Sequence, residues 1–178
     1  MITNVTLTTK ERYLLEDQKG HEEQCILKYS NYSNMVSNDQ LRAIFMNNGK
    51  KEEEHLQTIN QLLNGKIPTI TSQQSSQQQP SQQQTSPQQT SQQQSQPQPE
   101  RMAFQQQGGP GRFQASDKDL CIDALTTEKY ISGTYDTAIF EFRDAQIRDV
   151  LNHIQKEEQK HGEAIFAYME SKGMYSAQ

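Results

Sequence analysis

The sequence predicts an all-α protein: an antiparallel four-helix bundle made of two repeated helical hairpins joined by a long, disordered crossover connection. Three observations carry this expectation. Apolar residues recur at alternating steps of three and four through residues 9–64 and 117–171, the spacing of one buried helix face. The two stretches align with each other at a single offset of 106 residues. Between them, residues 67–99 carry no charge, and Gln, Ser, Thr and Pro dominate Thr71–Pro99. Such a segment cannot bury enough apolar surface to offset its ordering entropy.

Each helix has a legible start. Thr8 followed by Glu11 is a capping box that opens a helix over 9–36. Asn38 or Asp39 starts the second, over 39–64, and Gly65 stops it. Ser116 with Asp119 resembles a second capping box and opens 117–142; Asp144 opens 145–171, before Gly173. The organisation is therefore a first hairpin in 1–65, a Gln/Ser/Pro-rich linker in 66–116, and a second hairpin in 117–175 that packs with the first as one bundle. A helix of 25 residues is about 38 Å long, and the linker is long enough to return along it.

The seams are regular. The first helix offers Leu15, Gln18, Glu22, Cys25, Tyr29, Tyr32 and Val36, and the second Leu41, Phe45, Asn48, Glu52, His55, Ile59 and Leu62. The third offers Cys121, Ala124, Glu128, Ile131, Tyr135, Ala138 and Phe142, and the fourth Ile147, Leu151, Ile154, Glu158, His161, Ile165 and Tyr168. The repeat pairs Glu22 with Glu128, Tyr29 with Tyr135, Arg42 with Arg148, Glu52 with Glu158 and His55 with His161. One hairpin cannot bury its own stripe, so two must face each other.

Six of these seam residues carry chemistry. A lone Glu on one helix and Glu-x-x-His on the next, given twice, is the ligand set of a carboxylate-bridged two-metal centre in a helical bundle. Residues at i and i+3 share a helix face, so each Glu-x-x-His offers a carboxylate and an imidazole side by side. The reading assigns Glu52 and Glu158 as bridging carboxylates, Glu22 and Glu128 as terminal ones, and His55 and His161 as terminal nitrogens. Charged groups seldom sit in a core unless paired or metal-bound. Oxygen-rich ligands with imidazole suit two iron or manganese ions.

Other residues receive plainer expectations. His21 and His153 lie beside the seam and are expected to be solvated. Tyr29 and Tyr135 pack. Asp17 and Asp123 serve either as partners of the ligand histidines or as surface residues. Cys25 is a small core residue; Cys25 and Cys121 are expected at similar levels of the first and third helices, reduced rather than bridged. Asn48 sets register, and Gly133 and Gly162 allow close packing.

Composition excludes several classes. The net charge is −5, with Lys and Arg scattered among acids, so no nucleic-acid partner is expected. No stretch is long and apolar enough for a membrane span, and Met1–Lys10 has no apolar run of a secretory signal. The glutamine side chains of the linker are candidates for isopeptide cross-linking to lysine during assembly.

The blocks TTEKYISGTYDTAIFEF and VLNHIQKEEQKHGEAIFAYM within Asp117–Tyr175 resemble the Coat F family of spore coat proteins of endospore-forming Firmicutes. The first hairpin, with LLEDQKGHEEQCILKYSNYSN and NGKKEEEHLQTINQLL, looks like a diverged copy. The resemblance implies a ferritin-like fold, with Glu128, Glu158 and His161 as ligand positions and Glu22, Glu52 and His55 following by repeat alignment. It implies a structural role in the spore coat, made in the mother-cell cytoplasm, with other coat proteins or further copies of itself as partners. The two hairpins either pair within one chain or swap between chains as a homodimer. The alternative is an enzyme, a di-iron or di-manganese oxidoreductase that consumes peroxide or oxygen; the structural role is the favoured reading.

Overall fold

Capping chemistry decides where each helix begins. In the computed structural model, which describes residues 3–68 and 115–175, α1 spans Thr9–Met35, α2 Asp39–Leu63, α3 Asp117–Ile139 and α4 Ala145–Ser171. Thr8 and Ser116 form complete capping boxes with Glu11 and Asp119. Asn38 and Asp144 each accept two backbone N–H groups at the starts of α2 and α4. Gly65 and Gly173 have φ of 72° and 65°, the left-handed backbone that favours glycine after a helix. The Gln-rich linker expected to be disordered, and its cross-linking glutamines, lie outside the described residues.

α1 pairs with α2 and α3 with α4 as two hairpins, which face each other through α1 against α3 and α2 against α4. Side-chain bonds fix both facing pairs as antiparallel. Between α1 and α3, Lys28 meets Asp123 and Thr134 meets Gln18; between α2 and α4, His55 meets Glu157 and His161 approaches Glu52. α2 therefore ends at one end of the helical body and α3 begins at the other, beside Ser37. Among the described residues, no helix is long and apolar enough to cross a membrane.

The repeat is written into the contacts that close the two ends. Glu11 accepts the backbone N–H of Arg143 at 2.9 Å, and Asp117 accepts that of Ser37 at 2.9 Å. Glu11 and Asp117 are repeat equivalents, as are Ser37 and Arg143. Arg42 donates to the carbonyls of Ser33 and Val36, and Arg148, its equivalent, to those of Phe142 and Arg143. Each hairpin thus satisfies the open carbonyls at its own turn and lends a carboxylate to the other's turn.

Two apolar clusters fill the body on either side of a polar middle layer. One contains Leu15, Cys25, Ile131, Phe142 and Leu151; the other contains Val36, Phe45, Cys121, Ile165 and Met169. Several sequence expectations change here. Cys25 and Cys121 are free and belong to different clusters, so they do not share a level. α3 stops at Ile139, and Phe142 reaches the core from the turn rather than from a helix. Ser33 is buried and Tyr32 lies at the edge, its hydroxyl donating to Asp123 at 2.6 Å. Gly133 faces open space, so close packing does not explain it.

One element had no signal in the sequence. Thr3–Asn4 (β1) pairs antiparallel with Lys66–Ile67 (β2). The Val5 N–H donates to the Gly65 carbonyl at 2.9 Å. A Cβ at Gly65 would stand 2.9 Å from the Val5 carbonyl oxygen, so this glycine answers to both its φ and the strand that crosses it.

Candidate metal centre

The polar layer between the two apolar clusters holds all six residues singled out by spacing. Glu22, Glu52 and Glu158 are 0 % exposed, and Glu128, His55 and His161 no more than 4 %. They come from all four helices: Glu22 from α1, Glu52 and His55 from α2, Glu128 from α3, Glu158 and His161 from α4. The i, i+3 spacing places each imidazole beside the glutamate one turn before it, with His55 Nδ1 3.0 Å from Glu52 Oε2. Across the hairpins, His55 Nδ1 is also 3.0 Å from Glu158 Oε1, and His161 Nδ1 is 3.1 Å from Glu52 Oε1. The two imidazoles stack with ring centres 5.7 Å apart.

These atoms fall into two overlapping groups, each able to offer four ligand atoms within 4.8 Å of one another. One is Glu22, Glu52, His55 and Glu158; the other is Glu52, Glu128, Glu158 and His161. Glu52 and Glu158 belong to both.

Two tyrosines complete the layer: both pack in the apolar clusters as expected, and their hydroxyls do more. The Tyr29 hydroxyl donates to Glu128 Oε1, and the Tyr135 hydroxyl to Glu22 Oε1. Each bond crosses from one hairpin to the other, and the two are related by the repeat. Among the described residues, the second oxygens, Glu22 Oε2 and Glu128 Oε2, are buried without a hydrogen-bond partner, and Glu52 Oε1 and both oxygens of Glu158 have only the imidazoles near them. Each lone glutamate is thus held by one oxygen, with the other oxygen facing the cluster. Asn48 donates to the Tyr29 hydroxyl at 3.3 Å, so its place on the seam serves this network.

The partner of the ligand histidine is Glu157, a residue the seam analysis passed over. Its Oε2 accepts from His55 Nε2 at 2.9 Å. Asp17 is exposed, and Asp123 bonds Lys28 and Tyr32 instead. Glu157 lies beside Glu158 in sequence, on the flank of the stripe, where spacing reads it as surface. His153 also approaches Glu157, at 3.7 Å, and is 43 % exposed. His21 is half-buried, stacked edge-on against Tyr130 and 3.4 Å from Gln18 Oε1.

The electrostatics follow from putting four carboxylates in one dry layer. Burial pushes Glu22 and Glu128 up to about 8, against the pull of His55 and His161. Burial pulls His161 down, but Glu128, Glu158 and Glu52 outweigh it and lift the imidazole to about 11. His55 is lifted well above its usual value, against burial, by Glu157, Glu158, Glu22 and Glu52. Burial also raises Glu158, yet the two imidazoles hold it well below the carboxylate range. Contact with His55 brings Glu157 down to about 2. Protons are one way to balance this layer; a divalent cation is the other, and binding one releases them.

The comparison with known families bears on the second hairpin. The Coat F domain matches residues 116–178. This segment is a Coat F domain. The resemblance read from its two sequence blocks is therefore shown, and the domain contributes α3, α4 and three of the six cluster residues: Glu128, Glu158 and His161. No curated protein and no solved structure matches the chain. The Coat F domain match does not reach the first hairpin, which joins to it through the contacts of Glu11, Asp117, Tyr29 and Tyr135 described above.

Proposed function

We propose that this chain is a structural protein of the spore coat whose two hairpins are pinned together by a ferritin-like centre of two iron or manganese ions. The Coat F domain supports the place in the coat. One observation carries the metal centre: two groups of four buried ligand atoms that share Glu52 and Glu158, with unpartnered oxygens facing one another. Four buried carboxylates against two imidazoles leave the layer short of positive charge, which is costly. That cost is hard to explain in a core this small unless the layer binds something.

The donor set fits the ions. Glu52 and Glu158 would bridge the two positions, Glu22 with His55 would complete one, and Glu128 with His161 the other. Tyr29 and Tyr135 orient the terminal glutamates by holding one oxygen of each. Glu157 fixes His55 with Nδ1 turned inward. When bound, iron or manganese would supply positive charge that ties all four helices together, along with redox capacity toward peroxide or oxygen. The apolar clusters close the layer from above and below. Assembly would involve other coat proteins or further copies of this chain.

A second reading, an oxidoreductase consuming peroxide or oxygen, is favoured by one feature: a cavity between α3 and α4 has Glu128 and Glu158 in its wall. One experiment separates the two. Purified full-length protein is assayed for bound iron and manganese and for peroxide decay. The structural reading expects two ions per chain and no peroxide loss beyond that of free metal. Fast decay would replace it with the enzyme. Glu52→Ala, which removes a carboxylate common to both groups, is expected to abolish stoichiometric binding; full retention would sink the centre.

A further inference from the structure

The six cluster residues and the two tyrosines that hold them obey the repeat, but the residues behind the two imidazoles do not. His55 has its inner Nδ1 beside Glu52 and Glu158 and its outer Nε2 bonded to Glu157. His161 has its Nδ1 in the matching place, yet its Nε2 is buried with no partner among the described residues. The repeat equivalent of Glu157 in the first hairpin is Lys51, a cation that pairs with Glu54 at 2.6 Å. Among the described residues, no carboxylate therefore stands behind His161.

A second difference lies one residue further along. Gly162 occupies the position that Leu56 holds in the first hairpin. Beside Gly162 opens a cavity of about 320 Å³ between α3 and α4, with Leu125, Phe166, Glu128 and Glu158 in its wall. Glu128 belongs to the His161 group alone. The opening therefore approaches the cluster from the side of the less supported imidazole.

We propose that the two metal positions are unequal: the Glu22/His55 position binds its ion tightly, and the Glu128/His161 position holds an exchangeable ion that enters and leaves beside Gly162. The inference rests on the metal centre proposed above. A carboxylate that accepts the outer N–H of a ligand imidazole fixes its tautomer and ring orientation and raises its basicity. Removing such a partner costs roughly 10–100-fold in metal affinity. His55 has this support and His161 lacks it. Exchange also needs a path, and a leucine at position 162 would fill the one that the glycine leaves open.

The test is Mn²⁺ binding to the full-length chain, followed by electron paramagnetic resonance of the free ion. Two steps per chain are expected, about tenfold or more apart. Glu157→Gln should weaken the tight step by roughly 10–100-fold and leave the weak step in place. Gly162→Leu should slow chelator-driven release of the weakly held ion and spare the tight one. If the leucine prevents folding, Gly162→Ala is the milder variant, because its Cβ would sit at an ordinary 3.5 Å from Leu125 Cδ1. Two equal steps in the wild type would overturn the inference while leaving the metal centre standing. So would a Glu157→Gln protein that loses both steps alike, or glycine variants that release the weak ion at the wild-type rate. No bound Mn²⁺ at all would overturn the centre itself, and the inequality with it.

Discussion

The two hairpins are built on one plan and differ in how their polar residues are supported. At the ends of the body they trade equivalent contacts: Glu11 to Arg143 and Asp117 to Ser37, Arg42 and Arg148 at the turns. In the middle layer they trade Tyr29 and Tyr135. Around that layer the equivalence stops. Asn48 supports Tyr29, but its counterpart Ile154 offers Tyr135 nothing to bond. Glu157 supports His55, and its counterpart Lys51 turns to Glu54. The contacts needed to close two hairpins on each other follow the repeat; those that tune individual polar groups have diverged. A residue of the inner ring must satisfy both halves at once, whereas one behind it answers to a single neighbour.

The largest effect expected from breaking this comparison is at the ends. Glu11 is 3 % exposed. Burial raises its carboxyl, but the backbone N–H groups of Arg143 and Thr8, the Thr8 hydroxyl and the Arg143 side chain bring it down to about 2. The folded value lies below the unfolded one, near 4.5. Its contribution is therefore complete above about pH 4.5 and is lost as pH falls through about 2. The shift corresponds to something on the order of 3 kcal/mol. Glu11→Gln should cost much of this at neutral pH and flatten the acid limb of urea unfolding measured from pH 6 to 2. An unchanged acid limb would show that the end contact is not what it looks like.

The tyrosines sharpen the comparison at intermediate size. Tyr29→Phe takes a donor from Glu128 and leaves the Asn48 amide without its acceptor, so in chelator-treated protein it should cost about 2–3 kcal/mol. Tyr135→Phe takes only a donor from Glu22 and should cost about 1–2 kcal/mol. Chemical denaturation of both variants reads the difference. Equal costs would mean that Asn48 does not support Tyr29.

The smallest effect is on the surface. Asp123 pairs with Lys28 at 2.7 Å and accepts from Tyr32, half exposed as it is. Its repeat equivalent Asp17 is exposed and makes no hydrogen bond or ion pair among the described residues. Asp123→Asn should cost about 0.5–1 kcal/mol and Asp17→Asn about zero. A larger loss in the Asp17 variant would reveal a partner for it.

Much of this arrangement was legible in one dimension, and the misses share a cause. Stripe spacing located the four helices and the six cluster residues because a buried face repeats every three to four residues. Thr8, Asn38, Ser116 and Asp144 marked the helix starts because a cap is a local contact. Glu157, one position off the stripe, was passed over because its partner His55 comes from another helix. The hydroxyl bonds of Tyr29 and Tyr135 were missed, beyond their packing, because the acceptors lie across the hairpin interface. The pairing of Thr3–Asn4 with Lys66–Ile67 joins segments too short to show a strand pattern. Cys25 and Cys121 were placed at one level although the antiparallel stagger of α1 and α3 puts them in different clusters.

By itself, then, the sequence determined the helices, their caps, the repeat and which acidic and imidazole groups share the buried stripe. All of these depend on residues a turn or so apart. Only the tertiary structure decided which oxygen each tyrosine holds, which imidazole has a carboxylate behind it, and on which side the layer opens. Those are contacts between helices, set by their stagger and by the volume of single side chains such as Gly162 and Leu56, and spacing along one chain carries no measure of either.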